Sequence, residues 1–308
     1  ELQRAQRMKI LLLGKNGQVG WELQRSLAPL GEVLALDSKS SDYCGDLRDL
    51  DGLAATVQRF APDVIVNAAA YTAVDKAESD VDTARRINAQ APGVMAEVAA
   101  SLGATLVHYS SDYVFDGSGD TPRAEDAATG PLSVYGATKL DGELAIRASG
   151  CRHLILRTSW VYAARGGNFA RTMLRLAAER DVLNVVDDQI GAPTGADLIA
   201  DVSAHCLRAL QARPELGGTC HLAAAGATSW YAYARHVIAW ARAHGQAIKV
   251  APEAIRPLLS AAYPTPARRP LNSRLDCAKL QVDFGLQLPS WQAGVERMLD
   301  EVLGPAQA

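Results

Sequence analysis

The chain has 308 residues, of which 48% are hydrophobic and 21% charged, and its formal net charge is −3. This length suffices for a buried core in one large domain or two smaller ones. The small negative charge disfavours nucleic acid as a partner. No apolar run approaches the ~20 residues of a membrane span, so a membrane association is not expected.

Two further features bear on where the protein acts. The five cysteines are scattered and form no C-x-x-C pair, which disfavours a disulfide framework or a zinc site and fits the reducing cytoplasm. Residues 1–7 are polar and precede an apolar run that starts after Met8. We interpret residues 1–7 as an expression remnant or a short extension, not a signal peptide.

Short apolar runs alternate with longer helical patterns through the first half of the chain. The runs predict buried strands at residues 9–13, 33–36, 64–68, 105–109 and 154–157. The patterns between them predict helices at residues 18–27, 50–60, 84–102 and 135–146. This alternation predicts an α/β fold with a Rossmann-type, doubly wound parallel sheet.

The second half is less regular. Residues 112–133 contain several glycines and prolines and predict a long loop. Helices are predicted at residues 168–179, 197–210 and 229–243, and the proline-dense residues 261–270 exclude regular structure. We predict a dinucleotide-binding domain over residues 8–160, which regains a stretch near 195–225. Residues 161–308 then form mainly a smaller substrate-binding lobe.

A glycine-rich turn follows the first predicted strand and opens the first predicted helix. Gly14, Gly17 and Gly20 have the spacing G-x-x-G-x-x-G. Such a turn needs glycine because the backbone must bend tightly, approach a pyrophosphate and let the helix pack against the sheet. The free N–H groups of the helix N-terminus then attract the phosphates. A tight turn without a ligand is the alternative.

An acidic residue ends the second predicted strand. Asp37 lies 17 residues after Gly20, near the position where dinucleotide-binding folds place a carboxylate on the adenosine ribose. A carboxylate there favours NADH because it repels a 2′-phosphate. Ser38, Lys39 and Ser40 soften that repulsion, so NADPH is also expected to bind. Asp37 as an ordinary turn residue is the alternative.

A tyrosine and a lysine lie four residues apart on the helix predicted after the long loop. Tyr135 and Lys139 therefore share one helical face, and an ammonium beside a phenol is expected to lower the phenol pKa from about 10. Such a tyrosine passes protons. Ser111, which ends a predicted strand, has a hydroxyl placed to bind the reacting oxygen. A surface pair and a strand-end capping serine are the alternatives.

These features together resemble the extended short-chain dehydrogenases, and nearly the whole chain from Met8 is similar to the dTDP-4-dehydrorhamnose reductase family within them. The segments that carry this resemblance are GKNGQVGWEL (14–23), VNAAAYTAVDKAE (66–78), SDYVFDG (111–117), RTSWVY (157–162), DQIGAPT (188–194) and RPLNSRLD (269–276). Members of the family often have threonine where this chain has Ser111, and serine keeps the hydroxyl.

The resemblance implies the last step of dTDP-L-rhamnose synthesis, which serves lipopolysaccharide and other cell-surface polysaccharides. A hydride would pass from NADH or NADPH to C4 of a keto sugar bound as its dTDP derivative. Tyr135 would donate the proton, Lys139 would tune that tyrosine and hold the ribose, and Ser111 would orient the carbonyl.

Further roles follow from the resemblance alone. It places Gln18 and Val19 at the pyrophosphate, Asp46 and Leu47 near adenine, and the nicotinamide beside Ala70, Tyr71, Thr72 and Tyr109. It places Asp112 and Trp160 at the sugar, and Arg268, Arg269 and Arg274 near the nucleotide diphosphate. A homodimer is implied, with Mg²⁺ held through Glu22 and Asp197.

Two other functions compete with this interpretation. A nucleotide-sugar epimerase or 4,6-dehydratase of the same superfamily is the nearest, but dehydratases follow the hydroxyl residue with an Asp-Glu pair, whereas Asp112 and Tyr113 stand here. A non-catalytic regulatory subunit would keep the nucleotide fold without chemistry. The intact set of Ser111, Tyr135 and Lys139 argues against that alternative.

Overall fold

The computed structural model of the protein describes residues 7–304. The predicted N-terminal extension lies outside the described residues, apart from Arg7. The strands are β1 (Met8–Leu13), β2 (Gly31–Leu36), β3 (Val64–Asn67), β4 (Thr105–Ser111), β5 (Arg152–Thr158), β6 (Val161–Tyr162), β7 (Leu183–Val186), β8 (Ile190–Gly191), β9 (Thr194–Gly195), β10 (Gly218–His221), β11 (Thr228–Ser229) and β12 (Ile255–Leu258). The α-helices are α1 (Gln18–Leu27), α2 (Leu50–Phe60), α3 (Val74–Ala77), α4 (Val81–Arg85), α5 (Ala91–Leu102), α6 (Val134–Ala148), α7 (Phe169–Glu179), α8 (Ala196–Ala212), α9 (Trp230–Ala243), α10 (Ala278–Phe284) and α11 (Trp291–Leu303).

A six-stranded sheet in the order β10-β5-β4-β3-β1-β2 forms the centre of the molecule. Every neighbouring pair in it is parallel. The chain leaves β1 toward β2 on one side and continues from β3 on the other, so the strand order reverses between β1 and β3. In such sheets the crevice at the carboxyl ends of these strands is where ligands bind. The predicted Rossmann-type fold is confirmed.

Alternate residues of the central strands face two separate helical layers. Ile10 and Leu12 of β1 pack with side chains of α1 and α8, whereas Leu11 and Leu13 pack with side chains of α2 and α5. All four are fully buried. Because helices cover both faces, the strands carry continuous apolar runs instead of alternating ones.

The second half contributes to the sheet and also builds its own core. α8 packs beside α1, and β10 pairs with β5. α7, α9 and α11 enclose a separate cluster that includes Tyr233, Trp291 and Val295. The division into a dinucleotide-binding domain and a substrate-binding lobe stays a prediction. No helix within residues 7–304 has the length and apolar character that crossing a membrane requires.

One predicted helix differs from the structure. Residues 84–102 are not a single helix, because α4 leads through a π-helical turn, Arg86–Gln90, into α5. Pro92 lies in the first turn of α5 and lacks the N–H that a continuous helix would use, so a wider turn precedes it. That turn holds Asn88, whose Oδ1 accepts from the Tyr71 N–H at 2.8 Å.

Candidate active site

The glycine turn lies at the switch point of the sheet. Gly14 follows β1 with φ +83°, and its N–H donates to the Leu36 carbonyl at 2.9 Å. A Cβ on Gly14 would lie 2.7 Å from Ala69 N, and one on Gly20 would lie 1.9 Å from Gly14 O. Because Gly14 has no Cβ, the turn can pass close to the backbone that follows β3. Because Gly20 has none, α1 can start close to the turn and the sheet. Both glycines are therefore required by the fold of the turn.

A cavity of about 1150 Å³ opens along the carboxyl ends of the strands. Its lining includes thirteen of the residues predicted for the site: Gly14, Gly17, Gln18, Val19, Asp37, Asp46, Leu47, Ala70, Tyr71, Thr72, Tyr109, Tyr135 and Lys139. Its size and its glycine-lined start at the N-terminus of α1 fit a dinucleotide. Gly20, Ser111, Asp112 and Trp160 lie outside this lining, and Gly20 instead packs beneath the turn.

Asp37 forms one end of the cavity, just after β2. Its carboxylate accepts from Asn16 Nδ2 at 2.5 Å and from the Lys39 N–H at 2.8 Å. The backbone N–H of Lys39 lowers the pKa of Asp37, and the charges of Lys15 and Lys39 add to this effect. An ionised carboxylate therefore faces this end of the cavity. Asp46 is paired with Arg48 at 2.7 Å, which lowers its pKa.

Tyr135 and Lys139 lie on the first turns of α6 at the other end. Ser133 caps this helix, and its Oγ accepts from the Gly136 N–H at 3.2 Å. The Tyr135 ring meets Tyr113 edge-on at 5.5 Å between centroids. Lys139 is 2% exposed, and its Nζ donates to the Tyr109 carbonyl at 2.6 Å.

The pKa values of this pair differ from the sequence expectation. Burial raises the pKa of Tyr135 to about 12; the Ser111 hydroxyl opposes this rise and Asp112 reinforces it. Burial lowers the pKa of Lys139 to about 8, against the charge of Glu143. The expected lowering of the phenol pKa by the ammonium is therefore absent from the described structure, because desolvation dominates and Lys139 Nζ binds a carbonyl.

Ser111 and Asp112 lie at the end of β4, close to Tyr135. Ser111 Oγ accepts from the Tyr113 N–H at 3.1 Å and donates to Asp112 Oδ1 at 3.2 Å. Asp112 is 2% exposed, and its Oδ2 has no hydrogen-bond partner among residues 7–304. Burial raises the pKa of Asp112 to about 7, although the hydroxyls of Ser273 and Ser111 oppose the rise. This carboxyl is therefore neutral over part of the physiological range.

Trp160 follows β5 in an uncommon backbone conformation. Its φ is +49°, and its indole stacks on Trp230 at 3.8 Å between ring centroids. A Cβ on Gly191 would lie 2.8 Å from the indole, so glycine makes room for it. A left-handed backbone at a bulky residue is strained and tends to occur at functional sites.

The three arginines expected near the nucleotide diphosphate have different environments. Arg269 makes two contacts of 2.9 Å with the carboxylate of Asp75. Arg274 donates to Asn272 Oδ1 at 3.1 Å. Arg268 is exposed. The Arg269 guanidinium thus holds residues 267–269 against α3 in the described structure.

Glu22 and Asp197 border a second cavity of about 890 Å³. Glu22 accepts from Arg25 at 3.1 Å, and Asp197 Oδ1 accepts from the Leu198 N–H at 2.9 Å. Within the described part of the chain, no group of three or more His, Cys, Asp or Glu residues is placed to hold a metal ion. Asp201 and Glu301 also line this cavity, but no three of its carboxylates in one copy of the described chain are placed to share an ion.

Some residues of the first cavity were missed by the sequence analysis. They are Arg48, Lys76, Asp80, Thr83, Ile87, Thr158, Val161, Arg165, Gly166 and Gly167. The Arg-Gly-Gly sequence at 165–167 was the available signal, because a cation beside two glycines suits close approach to an anion. The others come from positions that only the tertiary fold brings to the cavity.

The sheet is parallel, has a glycine turn at its switch point, and places Ser111 at the end of β4 close to Tyr135 and Lys139 of α6. This arrangement defines a dinucleotide-dependent oxidoreductase of the extended short-chain dehydrogenase type. The family model for the RmlD substrate binding domain matches residues 8–303. The chain therefore belongs to the dTDP-4-dehydrorhamnose reductase family, as relatives and solved structures also indicate.

The dTDP-4-dehydrorhamnose reductase of Shigella flexneri is 56% identical over 96% of this chain and 98% of that protein. The enzyme of Escherichia coli K12 is 55% identical over the same shares. Among solved structures, the reductase of Clostridium acetobutylicum has a TM-score of 0.85 and 34% identity, covering 96% of this chain and all of that one. The reductase of Bacillus anthracis, solved in complex with NADP, has a TM-score of 0.84 and 33% identity, covering 96% and 99%.

Proposed function

We propose that the chain reduces the C4 keto group of dTDP-4-dehydro-L-rhamnose to give dTDP-L-rhamnose, with a reduced nicotinamide dinucleotide as second substrate. The observation that carries this proposal is the position of Tyr135 and Lys139 at one end of the cavity that begins at the Gly14 turn. The identity of 56% with the Shigella flexneri reductase over 96% of the chain supports the choice of sugar nucleotide.

The cofactor supplies a hydride when it is bound, and the chain supplies the rest of the reaction. Tyr135 donates a proton to the C4 oxygen, which a phenol with a pKa of about 12 does readily once an alkoxide develops beside it. Ser111 Oγ binds the same oxygen and stabilises its charge. The buried ammonium of Lys139 has three N–H groups. One donates to the Tyr109 carbonyl, and another would donate to the cofactor ribose.

The other site residues are assigned to the pyrophosphate, the adenine, the nicotinamide and the sugar. Gln18 and Val19 present N–H groups at the start of α1 to the pyrophosphate. Leu47, which is 4% exposed, and Asp46 border the adenine end. The nicotinamide end is lined by four residues of the same cavity wall: Ala70, Tyr71, Thr72 and Tyr109. Asp112 and Trp160 bind the sugar, the first through its unpartnered Oδ2.

For the cofactor we propose a preference for NADH, with NADPH also accepted. The support is the ionised Asp37 carboxylate, which suits ribose hydroxyls and repels a 2′-phosphate. Lys39 follows it directly, and a relative was solved with NADP. Steady-state turnover with each cofactor tests this order of preference.

The resemblance also leads us to propose a homodimer that holds Mg²⁺ through Glu22 and Asp197. Carboxylates suit Mg²⁺, but within one copy the Glu22 carboxylate already forms a salt bridge with Arg25. The proposal therefore needs carboxylates from a second copy, and sedimentation with Mg²⁺ or with a chelator tests it.

We further propose that the enzyme works in the cytoplasm and supplies cell-surface polysaccharide synthesis. The five free cysteines support that location.

Decay of NADH absorbance in the presence of dTDP-4-dehydro-L-rhamnose tests the main proposal. We expect stoichiometric NADH oxidation and a product identified by NMR as dTDP-L-rhamnose. An epimerase would leave NADH unconsumed, and a regulatory subunit would turn over no substrate at all. Either result would contradict the proposed function.

A further inference from the structure

A short exposed segment after β6 carries an arginine that the reaction described above does not use. Residues 164–167 form a bend without regular structure, and Arg165, Gly166 and Gly167 are exposed. The segment is anchored at both ends, because Asn168 Nδ2 donates to the Ala163 carbonyl at 2.7 Å and Arg171 donates to the Ala164 carbonyl at 2.9 Å. A Cβ on Gly166 or Gly167 would meet no atom within 4 Å.

This segment borders the cofactor cavity from the β5 side. Arg165, Gly166 and Gly167 line the cavity together with Thr158 and Val161. Asp37 lies at the opposite end, beyond β1 and next to β2. A dinucleotide with its adenosine ribose at Asp37 therefore places its nicotinamide half, and the phosphate of that half, on the side of Arg165.

The Arg165 guanidinium makes a cation–π contact with the exposed indole of Trp21 on α1. Its Cζ lies 3.8 Å from the centroid of Trp21, which is 46% exposed. Trp21 follows Gly17 by four residues, so it lies about 6 Å along the helix from the phosphate-binding N–H groups. A rotamer change of the long Arg165 side chain is the movement that would bring its guanidinium to these N–H groups.

Arg165 also differs from the other cations of the cavity. Arg48 is paired with Asp46 at 2.7 Å, and Lys139 Nζ donates to the Tyr109 carbonyl at 2.6 Å. Lys76 lies on α3, and its charge helps to lower the pKa of Asp80. Among residues 7–304 no carboxylate forms a salt bridge with Arg165. Its charge is thus available to an anion.

We propose that Arg165 binds the phosphate on the nicotinamide side of the cofactor pyrophosphate, moving from Trp21 to that phosphate when the dinucleotide binds. The proposal deepens the proposed function and rests on it, because it assumes that the cavity holds a dinucleotide. The α1 N-terminus binds the pyrophosphate through N–H groups, and Arg165 adds a full positive charge from the second wall.

Calorimetric binding of two nucleotides tests the proposal without catalysis. ADP-ribose carries both phosphates of the pyrophosphate, whereas AMP carries only the adenosine-side phosphate. We expect Arg165→Met to raise the Kd of ADP-ribose about tenfold, as for loss of one charged hydrogen bond. The Kd of AMP should stay unchanged. Arg175→Met is the matched control, because Arg175 is exposed on α7, paired with Glu179 and absent from the cavity lining.

Tryptophan fluorescence gives a second readout. Addition of ADP-ribose should change the emission of Trp21 as the guanidinium leaves its ring, and a Trp21→Phe variant identifies that component. Arg165→Met should lack the change. An unchanged Kd for ADP-ribose in Arg165→Met would overturn the proposal, and so would an equal weakening of AMP and ADP-ribose. A wild-type protein that bound neither ADP-ribose nor NADH would instead contradict the proposed function itself.

Discussion

The buried carboxyl of Asp112 makes the stability of the protein depend on pH in a predictable direction. Its pKa rises from 3.8 to about 7 in the folded protein because burial disfavours the charge. The folded state therefore binds one more proton than the unfolded state between these two values. Stability from this group is complete below about pH 4 and is lost as the pH rises to about 7.

The size of the effect follows from the shift. At about 1.4 kcal/mol per pKa unit, a shift of about three units corresponds to about 4 kcal/mol over the whole range. Roughly 3 kcal/mol of this is lost between about pH 5 and pH 8. Asp112→Asn keeps the shape of the side chain and removes the titration, so its stability should not show this loss.

Urea unfolding of wild type and Asp112→Asn at both pH values measures the difference. We expect the variant to gain about 3 kcal/mol relative to wild type on going from about pH 5 to pH 8. Asp120→Asn is the control, because Asp120 is exposed in the loop after Gly119. A stability difference that is the same at both pH values would refute the reasoning.

Three other substitutions test separate parts of the account. Asp37→Ala should shift the ratio of kcat/KM toward NADPH by about tenfold, since a charged acceptor for ribose is lost; turnover with both cofactors measures it, and an unchanged ratio would show that Asp37 does not set the preference. Arg157→Met should lower the free energy of unfolding by about 3–5 kcal/mol, because Glu143 is fully buried and contacts Arg157 at 2.7 Å; urea unfolding with no measurable loss would contradict this. Gly20→Ala should abolish tight NADH binding measured by calorimetry, because its Cβ would lie 1.9 Å from Gly14 O, and a wild-type Kd would show that the turn tolerates the shift.

The sequence predicted those parts of the molecule that depend on local pattern. The apolar run of β1 and the glycine spacing after it predicted a strand, a turn and a helix, and the structure confirms all three. The i, i+4 spacing predicted that Tyr135 and Lys139 share a face of α6, and both line one cavity. These features need only the geometry of a helix or a strand.

Other features depend on contacts between distant residues and left little trace in the sequence. The stacking of Trp160 on Trp230 joins residues that are 70 positions apart in the chain. The hydrogen bond from the Tyr71 N–H to Asn88 joins the π-helical turn to a residue 17 positions earlier in the chain. The pKa of Tyr135 is raised by burial and shifted further by Ser111 and Asp112, which the spacing of Tyr135 and Lys139 does not reveal. Local spacing predicts which groups are near, but not which of them bind each other.

The central claim is that Tyr135 donates the proton in carbonyl reduction. Turnover of Tyr135→Phe with NADH and dTDP-4-dehydro-L-rhamnose tests it most directly, with NADH binding measured by calorimetry on the same preparation. We predict that kcat falls by about 10²–10⁴-fold while the Kd of NADH stays near the wild-type value. A variant that binds NADH and turns over at the wild-type rate would show that the proton comes from another group.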